Sequence, residues 1–356
     1  MIALPTARAA GLLLGVVADA VFGDPRRRHP VAGFGSAAAA LERRGYAERR
    51  GAGVAHVVVL VGGAVALGVG AEQMARGSVA RAAVTAVATW VVLGGTSLAR
   101  EGAALAAELD RADLAAARTR LPGLCGRDPS TLDAAGIARA GTESMAENTS
   151  DAVVAPLLWG AVAGVPGLLG YRAVNTLDAM VGHRSARYRR FGWAAARLDD
   201  AANLLPARVC ALLTAAVAPA VGGSPRAALR AWRRDAAAHP SPNAGPVEAT
   251  AAGALGVTLG GRTVYAHGAE ERPRLGDGPS PGPGDLRRAA RLSRLVGAAS
   301  TVVAVAVAVA LRPATCGERS QGRSGGTSSP ASAWRTAVRC ARRPPERRCS
   351  ISSRMK

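Results

Sequence analysis

Residues 52–70, AGVAHVVVLVGGAVALGVG, decide the fold. The stretch carries no charge, and as a helix it is long enough to cross the roughly 30 Å hydrocarbon core of a bilayer. A second apolar run, Ala82 to Leu98, follows a short loop holding Glu72, Arg76 and Arg81. Together they predict a helical hairpin through a membrane.

Composition supports that reading. Apolar residues make up 49% of the 356, yet aromatics only 3%. Ala, Val, Leu and Gly carry the hydrophobicity, which suits helices packed closely in lipid better than a soluble core. The net charge of +20 sits in loops between apolar runs, with no basic stripe interleaved with aromatics. That pattern favours a membrane over nucleic acid, with Arg-rich loops on the cytoplasmic side. Lys356 is the only lysine. A P-loop lysine, a Schiff-base lysine and an adenylylated lysine are thereby excluded. Any phosphate must be held by Arg, backbone amides or a metal. The five cysteines form no CxxC pair, so zinc and redox motifs are unsupported.

Further apolar runs are Ala9–Phe22, Ala152–Tyr171, Leu204–Val221 and Leu295–Leu311. The first reads as an uncleaved membrane helix ended by Gly23-Asp24-Pro25. Residues 100–139 alternate charge with Ala and Leu at helical spacing and read as amphipathic, water-facing helix, with Asp128 or Ser130 capping the helix that follows. The loops 24–51, 100–150, 172–203 and 223–294 are all rich in Arg. If every run crossed, 172–203 would lie opposite 100–150, against the positive-inside rule. Ala152–Tyr171, broken by Pro156, Gly160, Gly164, Pro166 and Gly167, is therefore expected to enter and return, or to lie buried in protein. The fold class is all-α: a polytopic integral membrane protein with amphipathic cytoplasmic helices and one non-spanning apolar segment. Residues 1–311 form one membrane-embedded catalytic domain. Residues 312–356 shift to Arg, Ser, Pro and Gly without apolar periodicity and read as a disordered basic tail resembling out-of-frame translation.

Four polar clusters are candidates for chemistry. Glu143, Glu147 and Asp151, spaced by four in ESMAENTSD, either form one acidic helix face or end one helix and cap the next, with Asn148 between them. Hard oxygen ligands of this kind suit Mg²⁺ and, through it, phosphates. The second cluster holds Asn175, Asp178, His183, Arg187, Tyr188, Arg197, Asp199, Asp200 and Arg208. Arginines beside aromatics grip phosphates and stack on flat rings, or merely mark a positive-inside loop. Asp178, Asp199 and Asp200 fit that second account poorly, because acidic groups are costly beside membrane runs. The third is His239, Ser241 and Asn243 in HPSPN, with Glu248 after it; His239 is either a general acid or base or an exposed turn residue. The fourth is Asp19 with Asp24 and His29.

At these clusters the chain resembles the adenosylcobinamide-phosphate synthases of cobalamin biosynthesis. The resemblance is carried by GDPRRRHPVAGFG, ESMAENTSDAVVAPLLW, YRAVNTLDAMVGHRSARYRRFGWAAARLDDAANLLPAR and HPSPNAGPVEATAAGALGV, in that order, over about residues 9–311. It implies a multi-pass enzyme of the inner cell membrane. The reaction implied joins (R)-1-amino-2-propanol or its O-phosphate to the free propionate of adenosylcobyric acid, giving adenosylcobinamide or its phosphate, with ATP as activator and Mg²⁺ as its companion. Glu143, Glu147 and Asp151 are then the expected metal ligands, and His239, Asp178 or Asp199 the acceptors of the amine proton. The expected substrate-binding residues are Asn148, Asn175, His183, Arg187, Tyr188, Arg197, Asp200, Arg208, Ser241, Asn243, Asp24 and His29. Expected partners are the corrinoid, the aminopropanol, the lipid bilayer and other late cobalamin-pathway membrane enzymes, with no nucleic acid. Two other readings are a transporter component, which predicts repeated membrane segments that are not seen, and a non-catalytic sensor-like relative, which predicts loss of the polar clusters.

Overall fold

The computed structural model describes residues 4–24, 29–183, 185–265 and 268–311. The tail from residue 312, and Pro25–Arg28 of the first motif, lie outside the described residues.

The chain is helical almost throughout. It begins with α1 (Leu4–Phe22), α2 (Pro30–Gly45), α3 (Arg50–Met74), α4 (Gly77–Val92), α5 (Gly95–Asp110) and α6 (Leu114–Arg120). It continues through α7 (Ala134–Thr149), α8 (Ala155–Val181), α9 (Tyr188–Phe191), α10 (Trp193–Val217), α11 (Pro225–Asp235) and α12 (Ala244–Leu255). A two-stranded antiparallel hairpin, β1 (Leu259–Tyr265) and β2 (Gly268–Leu275), precedes α13 (Pro283–Ala310). Among the described residues, five helical stretches are long and apolar enough to cross a membrane: Arg50–Met74, Gly77–Asp110, Ala134–Val181, Trp193–Val221 and Pro283–Ala310. Large apolar side chains such as Val58, Leu67, Leu205 and Val302 face outward, as a lipid-facing surface requires.

Small residues set the packing. A Cβ at Gly11 would meet the Thr85 Cβ at 2.5 Å, and one at Gly15 would meet the Thr89 Cβ at 2.4 Å, so α1 lies directly against α4. On α3, a Cβ at Gly68 would meet Pro166 at 2.7 Å, and Gly53 abuts the Phe191 carbonyl. The expected hairpin of 52–70 with 82–98 is thus corrected. The two helices are consecutive, but α4 packs chiefly on α1 and α3 on α8, because the glycines that permit close approach face those partners. Asp133 caps α7 instead of Asp128 or Ser130, its Oδ1 accepting the Gly136 N–H at 2.7 Å.

The Pro/Gly-broken run does fold back. Gly164 has φ 66° and ψ −147°, a conformation open to glycine alone. The Asn175 Nδ2 lies 3.4 Å from the Asp151 Oδ2. A continuous helix would hold residues that far apart in sequence about 36 Å from each other. The chain therefore descends to Gly164 and returns. Most of this segment is covered by protein. The turn leaves carbonyls and an amide without helical partners, and two charged side chains supply them. Arg8 donates to the Ala161 and Val162 carbonyls at 3.2 and 3.1 Å, and Glu72 accepts the Val165 N–H at 2.8 Å.

This reversal places all four Arg-rich loops together. Asp24 N–H reaches the Ser97 Oγ, Arg187 pairs with Glu42, Gly260 N–H donates to Glu143, and Asn243 donates to the Asp200 carbonyl. The last three contacts link 24–51, 100–150, 172–203 and 223–294 on one side of the bundle, and the first ties Asp24 to α5 on that side. Single cysteines placed at Ser130 and Ser185 should react with an impermeant thiol reagent from the same membrane face; labelling from opposite faces would refute the re-entrant turn.

Candidate functional site

The site is built where α7 passes into α8. Residues 150–154 form a single π-helical turn between them. Such an insertion widens the helix and re-aims its side chains, and it recurs at functional sites. Here it turns Asp151 toward Asn175 on the returning limb of α8. A cavity of about 350 Å³ opens beside it, lined by Glu147, Ser150, Asp151, Asp178, Asp199 and Asp200, with Asn203, Ser241 and Asn243 completing the wall. Three of the four clusters picked from sequence thus meet at one place.

Amides tie the carboxylates together. Asn175 Nδ2 lies between the Asp151 Oδ2 (3.4 Å) and the Asp199 Oδ1 (3.5 Å). Asn203 donates to the Asp199 Oδ2 at 3.0 Å and accepts the Tyr171 hydroxyl at 2.8 Å. Asn243 donates to the Asp200 carbonyl at 2.8 Å and accepts from Arg208 at 2.9 Å, which pins the third cluster to α10. Ser241 accepts the N–H groups of Asn243 and Ala244 and so fixes the entry to α12. The lining holds five carboxylates and no Arg, Lys or His. Facing like charges without a cation are expensive in a protected site. The wall is chemically suited to a hard divalent cation, which binds through one or two carboxylates plus waters and phosphate oxygens. Asp151, Asp178 and Asp199 all line this wall.

Other expected residues fall elsewhere. Glu143 does not line the cavity. It is buried, forms an ion pair with Arg127 and accepts the Gly260 N–H at 2.7 Å, so it joins α7 to β1. Among the described residues no group of three or more His, Cys, Asp or Glu side chains is arranged as a ready metal shell, Glu143, Glu147 and Asp151 included. Glu143 is taken up by Arg127 and the Gly260 N–H, and Asp151 falls within the π turn, past the regular helix that carries Glu143 and Glu147. Asn148 turns back along α7 to the Ser144 carbonyl and hydroxyl. Arg187 pairs with Glu42 at 2.9 Å and stacks over Tyr46 at 4.0 Å, while Tyr188 donates to the same carboxylate at 2.9 Å. These two lock α9 to α2 and leave little polarity free. Arg197 makes only an exposed i, i+3 pair with Asp200 at 3.8 Å. His183 sits edge-on to Tyr188. His29 caps α2, its Nδ1 accepting the Val31 N–H.

Behind the cavity wall lies a buried acid–base group that spacing did not reveal. Glu248 is 1% exposed and lies beside Glu147, which lines the cavity. His239 Nε2 lies 3.7 Å from the Glu248 Oε1, and Arg272 lies at 4.0 Å. Burial, then the charges of Glu147 and Glu143, raise the Glu248 carboxyl well above its ordinary value of 4.5. Burial likewise holds His239 below 6.5 and so favours its neutral form. The folded state keeps the Glu248 proton that the unfolded chain loses above about pH 4.5. Rising pH from there therefore favours unfolding until the folded carboxyl itself ionises. Glu248→Gln should accordingly raise Tm, by an amount that grows with pH above 5; a Tm gain independent of pH would contradict the buried protonated carboxyl.

The family model described as CobD/Cbib protein matches residues 12–293. The chain is 58% identical to the cobalamin biosynthesis protein CobD of Mycobacterium tuberculosis over 306 residues, covering 86% of this chain and 97% of that protein. It is 41% identical to the protein of the same name from Rhodobacter capsulatus over 310 residues, 85% of this chain and 98% of that one. The Chromobacterium violaceum protein is 43% identical over 290 residues, 79% and 90% of the two chains. No solved structure matches. Match length and identity together place the chain in the CobD/Cbib family of cobalamin biosynthesis.

Proposed function

We propose that the chain is an ATP-dependent ligase that joins an aminopropanol, free or as its O-phosphate, to the free propionate of adenosylcobyric acid. The observation that carries this reading is the acid-lined cavity at the π turn, facing the side on which the Arg-rich loops gather. By the positive-inside rule that side is the cytoplasm, where nucleotide is available.

A carboxylate does not condense with an amine in water without activation. With Mg²⁺ bound, transfer of the ATP γ-phosphoryl to the propionate would release ADP, and attack of a neutral amine on the acyl phosphate would form the amide and release inorganic phosphate. Asp151 and Asp199 would hold the cation, with Asn175 and Asn203 orienting their oxygens through their amide groups. Asp178 Oδ, on the same wall and without an amide partner, takes the proton the amine gives up. The HPSPN loop closes the cavity through Asn243 and limits water that would hydrolyse the activated acid.

The assay is membranes containing the protein, supplied with adenosylcobyric acid, ATP, Mg²⁺ and each form of the amine. Wild type should yield the amide. Asp199→Asn and Asp151→Asn should each lower the rate about 100-fold or more with Tm retained, the scale for losing a charge-stabilising group. Full activity in Glu147→Gln together with Asp199→Asn would reject the carboxylate wall as the nucleotide site.

A further inference from the structure

A second feature lies on the other side of α8 from the acid cavity. An apolar groove of about 340 Å³ runs between α2, α3, α4 and α8, walled by Phe34, Leu60, Ala64, Leu67, Val92 and Leu169. Its one charged lining residue is Arg172. The Arg172 Nε is buried and has no hydrogen-bond partner, and among the described residues the guanidinium forms no ion pair. Asp24 and Asp151 act on it only from beyond pairing distance. Asp24 Oδ1 is buried without a partner as well.

An unpaired cation inside a membrane bundle costs several kcal/mol and is not kept for packing, since an apolar residue of similar size would serve the fold better. Its partner must arrive with a ligand. The groove admits only an apolar body, and the cation at its inner end admits only an anion. The position adds a constraint: Arg172 lies one turn before Asn175, whose amide contacts Asp151 at the acid cavity. An anion on Arg172 is therefore within reach of a phosphoryl donor held by Asp151 and Asp199.

The geometry points to Arg172 as the residue that receives the substrate carboxylate, with the adjoining groove taking the apolar arm that bears it. This rests on the ligase reading and names the half-site for the acid. A groove of this volume takes an arm and the ring edge from which it grows, leaving the rest of the macrocycle outside. The charge on Arg172 positions the carboxylate oxygen toward the acid cavity and is itself not consumed. Two half-sites then flank Asp151, one acidic for cation and nucleotide, one basic and apolar for the acid.

Binding to the full chain in phosphatidylcholine nanodiscs tests this. The probes are adenosylcobyric acid, adenosylcobinamide (the same macrocycle with that carboxylate already an amide) and Mg²⁺–ATP. Arg172→Met should weaken adenosylcobyric acid binding about tenfold or more, the scale of a lost charge-assisted pair, and leave the other two probes unchanged. Its Tm should stay level or rise, because a half-buried guanidinium whose Nε is buried without a partner has been removed. Arg172→Lys should recover part of the affinity. Unchanged acid binding in Arg172→Met, equal loss of all three probes, or a fall in Tm would each overturn the assignment. So would displacement of the acid by oleate with no dependence on Arg172, which would make the groove a lipid site. Amide formation is scored separately: wild type that binds the acid but makes no amide refutes the ligase reading and leaves the half-site standing.

Discussion

Lipid offers no hydrogen bonds, so a helix may break inside a membrane protein only where side chains replace the bonds it loses. The turn at Gly164 meets that condition with Arg8 below the arriving limb and Glu72 below the departing one. Both come from other helices, α1 and α3, so the turn cannot form until those helices are in place. The geometry of the site depends on this turn. The reversal sets Asp151 beside Asn175, lets α10 bring Asp199 and Asn203 to the same level, and keeps the Arg-rich loops on one side.

The acid wall is held by neutral amides where ion pairs would be the usual choice. Arginines close to the carboxylates would cancel their charge and remove the reason for a cation to bind. Asn175 and Asn203 fix the oxygens while leaving the charge in place. The arginines of the same loops are used differently. Arg187 goes to Glu42, Arg127 to Glu143, and Arg120 to Glu101 and Glu108, each joining elements on the loop side. At the cavity itself arginine acts only from outside the lining, Arg197 on Asp200 and Arg208 on Asn243.

The membrane fold and the non-spanning segment were legible in sequence, because apolar run length and Arg placement are one-dimensional signals. The convergence of ESMAENTSD, the Asn175–Asp200 stretch and HPSPN was legible from the density of polar groups beside apolar runs. What spacing could not give was the π turn. It has no residue signature, and it takes Asp151 out of the regular helix that carries Glu143 and Glu147. The roles of Arg187 and Tyr188 were hidden because their partner, Glu42, lies more than a hundred residues away. The short β hairpin was hidden too, since Gly256 to Leu275 has neither a clear period of two nor an apolar face. Arg172 did carry a signal, a lone cation following the run Ala152–Tyr171, masked by the arginines crowded after it.

The near-absence of lysine gains a structural meaning from the cavity. Phosphate chemistry without lysine needs either arginine or a metal at the nucleotide, and the cavity wall contains no arginine. The work of neutralising phosphate then falls to the cation that the carboxylates would bind, while guanidinium serves the organic acid. That division is chemically sensible. A metal bridges phosphate oxygens and follows charge as it moves to the leaving group. A guanidinium at the end of an apolar groove holds a carboxylate by geometry and does not compete for the metal.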